Sequence, residues 1–150
     1  MKLLPVDEAR ARMVGQAAAA ADETVALGEA RGRVLREAIT AHRAQPPFPA
    51  SAMDGWAVRA ADTPGVLKII GESAAGHPYE GMIGPGEVTR IFTGAPVPNG
   101  TDAIVIQEDA TRAGDQLTVP GVAPGHYVRS AGVDFKAGDR LLSPGVRLDP

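Results

Sequence analysis

The sequence predicts a mainly β protein with an N-terminal helical piece, and two observations carry that prediction. The 150 residues include 18 glycines and 13 prolines, and short apolar runs recur between these breakers. Such punctuation is typical of many short strands joined by tight turns, and it argues against both a helical bundle and disorder. A clear helical periodicity occurs near the N-terminus. We therefore expect a helical piece with short strands over residues 1–45 and an irregular, coiled β-rich body over 46–148.

The N-terminal piece opens on the predicted helix. Apolar residues recur at helical spacing from Val6 to about Ala21, and two acidic residues in the first turn favour the positive end of the helix dipole. The alanine run at the end of this stretch should extend the helix at low entropy cost. Residues 24–40 then predict a short strand, a short helix that carries Val34 and Leu35, and a second strand.

The β-rich body is predicted from short runs that turn residues separate. EVTRIF alternates Val88, Arg90 and Phe92 on one face, and AIVIQED opens with four apolar residues, as a strand buried on both faces does. The candidate strands lie in VLKIIGES (66–73), EVTRIF (87–92), AIVIQED (103–109), QLTVPG (116–121) and HYVRSAG (126–132), and FKAGDRLLSPG (135–145) indicates a turn followed by an edge strand.

Composition narrows the class of protein. The net charge of -3 gives no support to a nucleic-acid or anionic-membrane partner, which would need a concentrated basic face. The chain has no cysteine, so a disulfide framework and a thiolate metal site are excluded. We find no apolar run of membrane-spanning length and no signal-peptide core, and we therefore expect a cytoplasmic protein.

The stretch PPFPASAMDGWAV (46–58) is the first candidate for chemistry. It places Asp54 before Gly55 and before the single tryptophan, Trp56. An Asp-Gly pair is most often a turn, in which the carboxylate caps nearby amides and the glycine supplies a positive φ. The functional alternative is a carboxylate held at the lip of a site, where it binds Mg²⁺ or accepts hydrogen bonds.

Two further stretches offer groups that bind anions. In FTGAPVPNGTDA (92–103), Thr93 and Gly94 place a hydroxyl beside amides that can converge in a nest, although a capped strand end is the simpler interpretation. In YVRSAGVDF (127–135), Arg129 and Asp134 form either a surface ion pair of little energetic weight or an oxyanion contact with an acidic partner. The histidines lack zinc-site spacing, and no phosphate-binding glycine motif occurs.

Taken in order, the blocks PPFPASAMDGWAV, IFTGAPVPNGTDAIVIQED and GHYVRSAGVDFKAGDRLL resemble the N-terminal region of the MoeA family, the molybdopterin molybdenumtransferases, which include the E domain of gephyrin. The resemblance covers about residues 5–148 and implies irregular, coiled and bifurcated β-sheets. It implies that Asp54 is a functional carboxylate in a cleft and that Ser51, Thr93, Gly94, Arg129 and Asp134 lie near it. Trp56 departs from the pattern, because the family more often has Tyr or Phe there.

The resemblance also implies an activity. MoeA-like enzymes insert molybdate into adenylylated molybdopterin and release AMP, and they require Mg²⁺. It implies that Asp54 and Asp134 serve as catalytic carboxylates and tentative Mg²⁺ ligands, whereas Ser51, Thr93, Gly94 and Arg129 contact the substrate. No residue has the character of a covalent nucleophile, so we expect positioning and electrostatics to dominate.

Family members are longer and form homodimers, with a downstream α/β domain that grips the pterin and a small C-terminal β domain. We therefore expect the chain to be a fragment of such an enzyme that is inactive alone. Two alternatives stay open: a gephyrin-like scaffold that binds partners without catalysis, and a free-standing β-rich binding module.

Overall fold

A six-stranded mixed sheet is the largest element of the computed structural model, which describes residues 4–18 and 20–149. The helices and strands are α1 (Val6–Val14), β1 (Ile39–Thr40), β2 (Ala50–Ser51), β3 (Gly55–Val58), β4 (Gly65–Ser73), β5 (Glu87–Ile91), β6 (Ala103–Ile106), β7 (Thr111–Ala113), β8 (Gln116–Val119), β9 (Val128–Arg129) and β10 (Arg140–Leu142). Short 3-10 turns lie at Leu27–Glu29, Ala60–Asp62 and Gln107–Asp109. The predicted fold class, mainly β with an N-terminal helical segment, is confirmed.

The strand order of the large sheet is β6-β3-β5-β4-β8-β7. Adjacent strands in this sheet are antiparallel except for β4 and β5, which are parallel and have a register shift between Ile69 and Gly71. Two smaller sheets pair β1 with β10 and β2 with β9. The six stretches predicted as strands beyond residue 65 each overlap one of these strands, whereas β3 and β7 were not predicted.

The described residues divide into two compact units, one within Met1–Ala38 and Leu142–Pro150 and the other within Ile39–Leu141. The first holds α1 and a backbone pairing between residues 32–35 and 145–148, in which the Leu35 N–H donates to the Val146 carbonyl over 2.9 Å. The second holds the large sheet and the β2–β9 pair. The proposed domain division at residues 45 and 46 stays a prediction.

Helix α1 is shorter than the sequence predicted, because it ends at Val14 rather than near Ala21. None of its described residues is buried. Helices shorter than about 12–15 residues are marginal in water unless they pack against the rest of the protein. The described helix α1 has no buried residue, and Gly15, a residue of low helix propensity, follows its last turn. Helical propensity in the alanine run was therefore not sufficient to continue the helix.

The predicted short helix around Val34 and Leu35 is wrong. Only the 3-10 turn Leu27–Glu29 forms in that region, and Val34 makes an isolated antiparallel bridge to Arg147. Gly32, at φ +79, lies in the left-handed region between the turn and the bridge. A helix cannot continue through that conformation, so the chain becomes extended instead. The second predicted strand is present as β1.

The core lies on both faces of the large sheet, and β3 contributes to both. Trp56 and Val58 face a cluster of buried residues from β4, β5, β6 and β8, whereas Ala57 faces a smaller cluster with Ile91 and Ile104. Strand β6 is buried on both faces, as its apolar run predicted. No described helix is long and apolar enough to cross a membrane.

Thr89, at the centre of β5, is a buried polar residue without a partner. It is fully buried, and its hydroxyl makes no hydrogen bond within the described part of the chain. An unsatisfied buried hydroxyl costs about 1–3 kcal/mol of stability. We therefore expect Thr89→Val, which keeps the shape, to leave the free energy of unfolding unchanged or raise it by about 1 kcal/mol in urea denaturation.

Ser73 provides the matched control for Thr89. It is also fully buried, but its hydroxyl donates to the Pro96 carbonyl over 2.8 Å. Ser73→Ala removes this satisfied donor and should lower the free energy of unfolding by about 1–2 kcal/mol. A loss of stability in Thr89→Val as large as that in Ser73→Ala contradicts the interpretation of Thr89.

Candidate functional site

A pocket of about 290 Å³ lies within the second unit, between the β2–β9 pair and the turn after β5. Its lining residues come from three parts of the chain: Gln45, Pro46, Pro47, Phe48, Ala50, Ser51 and Ala52, then Thr93 and Gly94, then Arg129. All four residues that the sequence proposed as substrate contacts therefore border one pocket.

Strand β2 holds the three parts of this pocket together. On one side it pairs with β9, so that Ala50 lies opposite Arg129. On the other side, the Ser51 N–H donates to the Ala95 carbonyl over 3.0 Å and the Ser51 carbonyl accepts from the Gly94 N–H over 2.8 Å. Both segments are thus fixed by backbone hydrogen bonds to a two-residue strand.

Ser51 is buried, and its hydroxyl is used within its own turn. The Ser51 Oγ donates to the Met53 carbonyl over 2.6 Å. Only a small part of this residue is accessible, since its exposed fraction is 1%. The observed geometry gives Ser51 a structural function, which is to shape the turn that presents Asp54.

Asp54 is exposed, and its carboxylate reaches across the chain to Thr93. Oδ1 accepts the Thr93 N–H and the Thr93 Oγ1–H, each over 2.7 Å, from a residue 39 positions away. The backbone donor and then the hydroxyl lower the pKa of Asp54 below its ordinary value of 3.8, Arg90 adds to the shift, and partial loss of water opposes it. Asp54 therefore carries its charge at neutral pH.

The amides at Thr93, Gly94 and Ala95 are engaged within the protein. They donate to the Asp54 carboxylate, the Ser51 carbonyl and the Phe92 carbonyl, respectively. A nest that binds an anion needs converging N–H groups that are free. The nest that the sequence offered as the functional alternative is therefore absent from this described turn, and Thr93 donates to Asp54 instead.

Arg129, which lines the pocket, forms an ion pair with Asp134. The Arg129 Nη2 and the Asp134 Oδ1 are 2.6 Å apart, and the two side chains are 47% and 42% exposed. A pair this exposed contributes little to stability. Its geometric effect is to hold the guanidinium, while Val128, the preceding residue of β9, packs against the smaller core cluster.

The six proposed residues thus form one connected arrangement. Four of them border the pocket, Asp54 is bonded to Thr93, and Asp134 is bonded to Arg129. The structure brings the residues together, whereas their roles in substrate contact and catalysis stay predictions.

Gly55 has a different function from the one that the sequence suggested. It is not among the glycines with positive φ, and it lies in β3, hydrogen-bonded between β5 and β6. A Cβ at this position would lie 2.1 Å from the Val105 carbonyl oxygen. Close approach of two backbones, rather than a turn, requires the glycine.

Arg90 is the residue that sequence reasoning missed. Its Nη1 donates to the Gly55 carbonyl over 3.1 Å and its Nη2 donates to the Gln107 Oε1 over 2.7 Å. Its guanidinium carbon lies 5.3 Å from the Trp56 ring centroid and 4.9 Å from that of Phe92. The alternation in EVTRIF, which placed an arginine on an apolar face before an aromatic residue, was the signal that could have found it.

The described residues do not fit a resident Mg²⁺ site. No group of three or more His, Cys, Asp or Glu that could hold a metal ion occurs among them. Asp54 already accepts two hydrogen bonds on one oxygen, and Asp134 is paired with Arg129. Since Mg²⁺ prefers near-octahedral oxygen coordination, two carboxylates with these commitments do not make the site by themselves.

Comparison with known proteins decides the family. A sequence model described as the MoeA N-terminal region (domain I and II) matches residues 4–150. The chain belongs to the MoeA family.

Curated relatives of this MoeA chain are molybdopterin molybdenumtransferases. It is 37% identical over 153 residues to the one from Haemophilus influenzae, with 99% of this chain and 38% of that protein covered. It is 33% identical over 155 residues to the one from Staphylococcus aureus, with 98% and 37% covered. The MoeA chain therefore spans less than two fifths of the length of these relatives.

Solved structures agree with this assignment. The MoeA chain matches two crystal structures of the molybdopterin biosynthesis MoeA protein from Pyrococcus horikoshii. One gives a TM-score of 0.80 at 32% identity over 99% of this chain and 40% of that chain. The other gives 0.74 at 38% identity over 85% and 36%. The MoeA fold is thereby shown for the N-terminal region.

Proposed function

We propose that this MoeA chain is the N-terminal region of a molybdopterin molybdenumtransferase that transfers molybdate to adenylylated molybdopterin and releases AMP. The observation that carries the proposal is the single pocket bordered by Thr93 and Arg129, each of which is held by a carboxylate. Family membership supports the same reaction.

The pocket has the chemistry to receive an oxyanion beside a flat ring. Asp134 engages one terminal nitrogen of Arg129, and the side chain is 47% exposed, so the guanidinium presents further N–H donors to solvent. Guanidinium donors suit molybdate and phosphate oxygens. In the same pocket lining, Pro47 and the 40% exposed Phe48 present apolar surface against which a flat ring can pack.

Asp54 supplies a fixed negative charge at the edge of this pocket. Its Oδ1 accepts both hydrogen bonds from Thr93, which leaves Oδ2 as the oxygen that can act on a substrate. An ionised carboxylate held in this way can accept a substrate proton or orient a water molecule. The protein's contribution here is placement of charge, because the described pocket lining includes neither cysteine nor lysine, and its two hydroxyls, those of Ser51 and Thr93, donate hydrogen bonds within the protein.

The proposed enzyme is a cytoplasmic homodimer, as the resemblance implies. In this proposal, the second wall of the cleft, which grips the pterin and the nucleotide, is supplied by the downstream α/β domain that the resemblance implies. The required Mg²⁺ needs oxygen donors beyond Asp54 and Asp134, because those two do not form a site.

The test compares the full-length enzyme with the 150-residue chain. Each is incubated with adenylylated molybdopterin, molybdate and Mg²⁺, and AMP release is measured. We expect release that depends on molybdate from the full-length enzyme and none above the uncatalysed rate from the chain. One wall cannot position the substrate, and positioning can carry roughly 7–11 kcal/mol of a barrier.

The fluorescence of Trp56, which is buried in the sheet, is the control that the chain is folded in this assay. A full-length enzyme that releases no AMP in response to molybdate contradicts the proposed function. Release by the folded chain alone contradicts the statement that it supplies only one wall.

A further inference from the structure

We propose that Arg90 is a positioning residue, which sets the place of the Asp54 carboxylate by joining three backbone segments behind it. The segments are the start of β3, the end of β5 and the 3-10 turn Gln107–Asp109. The inference rests on the proposed function, because that proposal makes Asp54 the carboxylate at the site.

The first step is the direct contact between Arg90 and the Asp54 turn. In the β3–β5 pairing, Arg90 lies opposite Trp56. Its Nη1 donates to the carbonyl of Gly55, the residue that follows Asp54, over 3.1 Å. The side chain therefore restrains the peptide on one side of the Asp54 turn.

The second step is an indirect contact through Gln107. The Gln107 Oε1 accepts from the Arg90 Nη2 over 2.7 Å, and the Gln107 backbone N–H donates to the Asp54 carbonyl over 3.2 Å. Arg90 thus reaches the carbonyls of Asp54 and Gly55, one through Gln107 and one directly. A closed ring of hydrogen bonds fixes both peptides that follow the Asp54 side chain.

The third step concerns the partner of Asp54. The guanidinium carbon of Arg90 lies within 5.3 Å of the Trp56 ring centroid and within 4.9 Å of the Phe92 ring centroid. Phe92 directly precedes Thr93, which donates both hydrogen bonds to Asp54. The stacked cation therefore fixes the Thr93 side of the contact as well as the Asp54 side.

Arginine is the residue type that this arrangement requires. The guanidinium group must donate to two acceptors and lie near two aromatic rings. A planar group with several N–H donors can do both. Lysine keeps the charge, but it has one nitrogen and no planar surface. The charged groups around this ring of hydrogen bonds are Arg90, Asp54 and Glu108. The Glu108 Oε1 accepts from the Gln107 Nε2 over 3.1 Å.

The test follows the Thr93 amide resonance during a pH titration of the isotope-labelled 150-residue chain. That amide donates to the Asp54 carboxylate, so its chemical shift reports both the hydrogen bond and the ionisation of Asp54. Arg90→Met, Arg90→Lys and the control Arg112→Met are compared with the unchanged chain. Arg112 lies on the exposed edge strand β7, where all three residues are exposed.

In Arg90→Met, we expect the midpoint of the titration to move up toward the ordinary Asp value of 3.8 and the Thr93 amide to lose much of its downfield shift. In Arg90→Lys, the charge remains, yet the amide should lose its shift as in Arg90→Met, because the fork is absent. Arg112→Met should match the unchanged chain. A folded Arg90→Met chain with an unchanged Thr93 resonance and midpoint overturns the proposal, as does full recovery of both by lysine.

Gln107→Ala covers the case in which Arg90→Met does not fold. It removes the acceptor of Nη2 but keeps the backbone N–H that donates to Asp54. We expect a smaller change of the Thr93 resonance in the same direction, and no change at all contradicts the ring of hydrogen bonds.

In the full-length enzyme, Arg90→Lys should lower kcat by about 10- to 100-fold with little change of KM, as expected for a displacement of about 1 Å at the reacting groups.

These two readouts separate the inference from the proposed function. The titration needs no substrate, so it tests the positioning of Asp54 even if the full-length enzyme releases no AMP. An altered titration together with an unchanged kcat supports the placement of Asp54 by Arg90 and contradicts the part of the proposed function that depends on this carboxylate.

Discussion

Asp54→Asn is expected to lower AMP release by the full-length enzyme by about 10²-fold or more, while the protein stays folded. The amide oxygen of asparagine can still accept both hydrogen bonds from Thr93, so the turn is retained. What the substitution removes is the negative charge and the proton-accepting oxygen at the pocket edge. The measurement is AMP release at saturating molybdate, together with the thermal midpoint of unfolding.

Asp115→Asn is the matched control for this substitution. It removes an exposed carboxylate at the turn between β7 and β8, at the other end of the sheet, and should leave AMP release unchanged. Wild-type AMP release by Asp54→Asn contradicts a function for the charge. An equal loss in Asp54→Asn and Asp115→Asn indicates a general electrostatic effect rather than a site.

The pH dependence of the Asp54 contact has a defined sign. Hydrogen bonds from Thr93 lower the folded-state pKa of Asp54, so folding favours the ionised carboxylate. Its contribution to stability is fully present above the ordinary value of 3.8 and is lost as the pH falls through the lowered folded value. Asp54→Asn should therefore reduce the steepness of acid unfolding below about pH 4.

Gly55→Ala is the substitution expected to damage stability most. The new Cβ would lie 2.1 Å from the Val105 carbonyl oxygen and 2.9 Å from its carbon, and both are backbone atoms of a paired strand. Neither atom can move aside without breaking the β3–β6 ladder. We expect a loss of at least about 3 kcal/mol in the free energy of unfolding, or failure to fold, measured by urea denaturation with Trp56 fluorescence.

Gly28→Ala provides the control for added volume at a glycine. Gly28 does not have a positive φ, and a Cβ there meets nothing within 4 Å. The free energy of unfolding of the Gly28→Ala protein should differ from that of the unchanged chain by no more than about 0.5 kcal/mol. A stable Gly55→Ala protein contradicts the close approach of β3 and β6.

The local signals in the sequence were sufficient where an element depends on its own residues. Short apolar runs between glycines and prolines predicted β4, β5, β6 and β8 of the large sheet, but not β3 or β7, and the four apolar residues of AIVIQED predicted the doubly buried β6. They failed where an element depends on support from elsewhere. The helix predicted to Ala21 ends at Val14, since none of its described residues is buried, and Gly32 interrupts the helix predicted around Val34.

By itself, the sequence determined the mainly β class, the positions of most strands and the family resemblance, because composition, punctuation and ordered motifs are properties of the chain. It also singled out six residues that the structure brings together, whose functions stay predictions. Only the tertiary structure decided how these residues are used. Asp54 caps Thr93 rather than its own turn, Gly55 is required by the Val105 carbonyl, and Arg90 joins segments that are far apart in sequence. The physical reason is that hydrogen bonds and steric contacts of this kind act between strands, and the strand order and register that bring them together arise from the packing of the whole sheet.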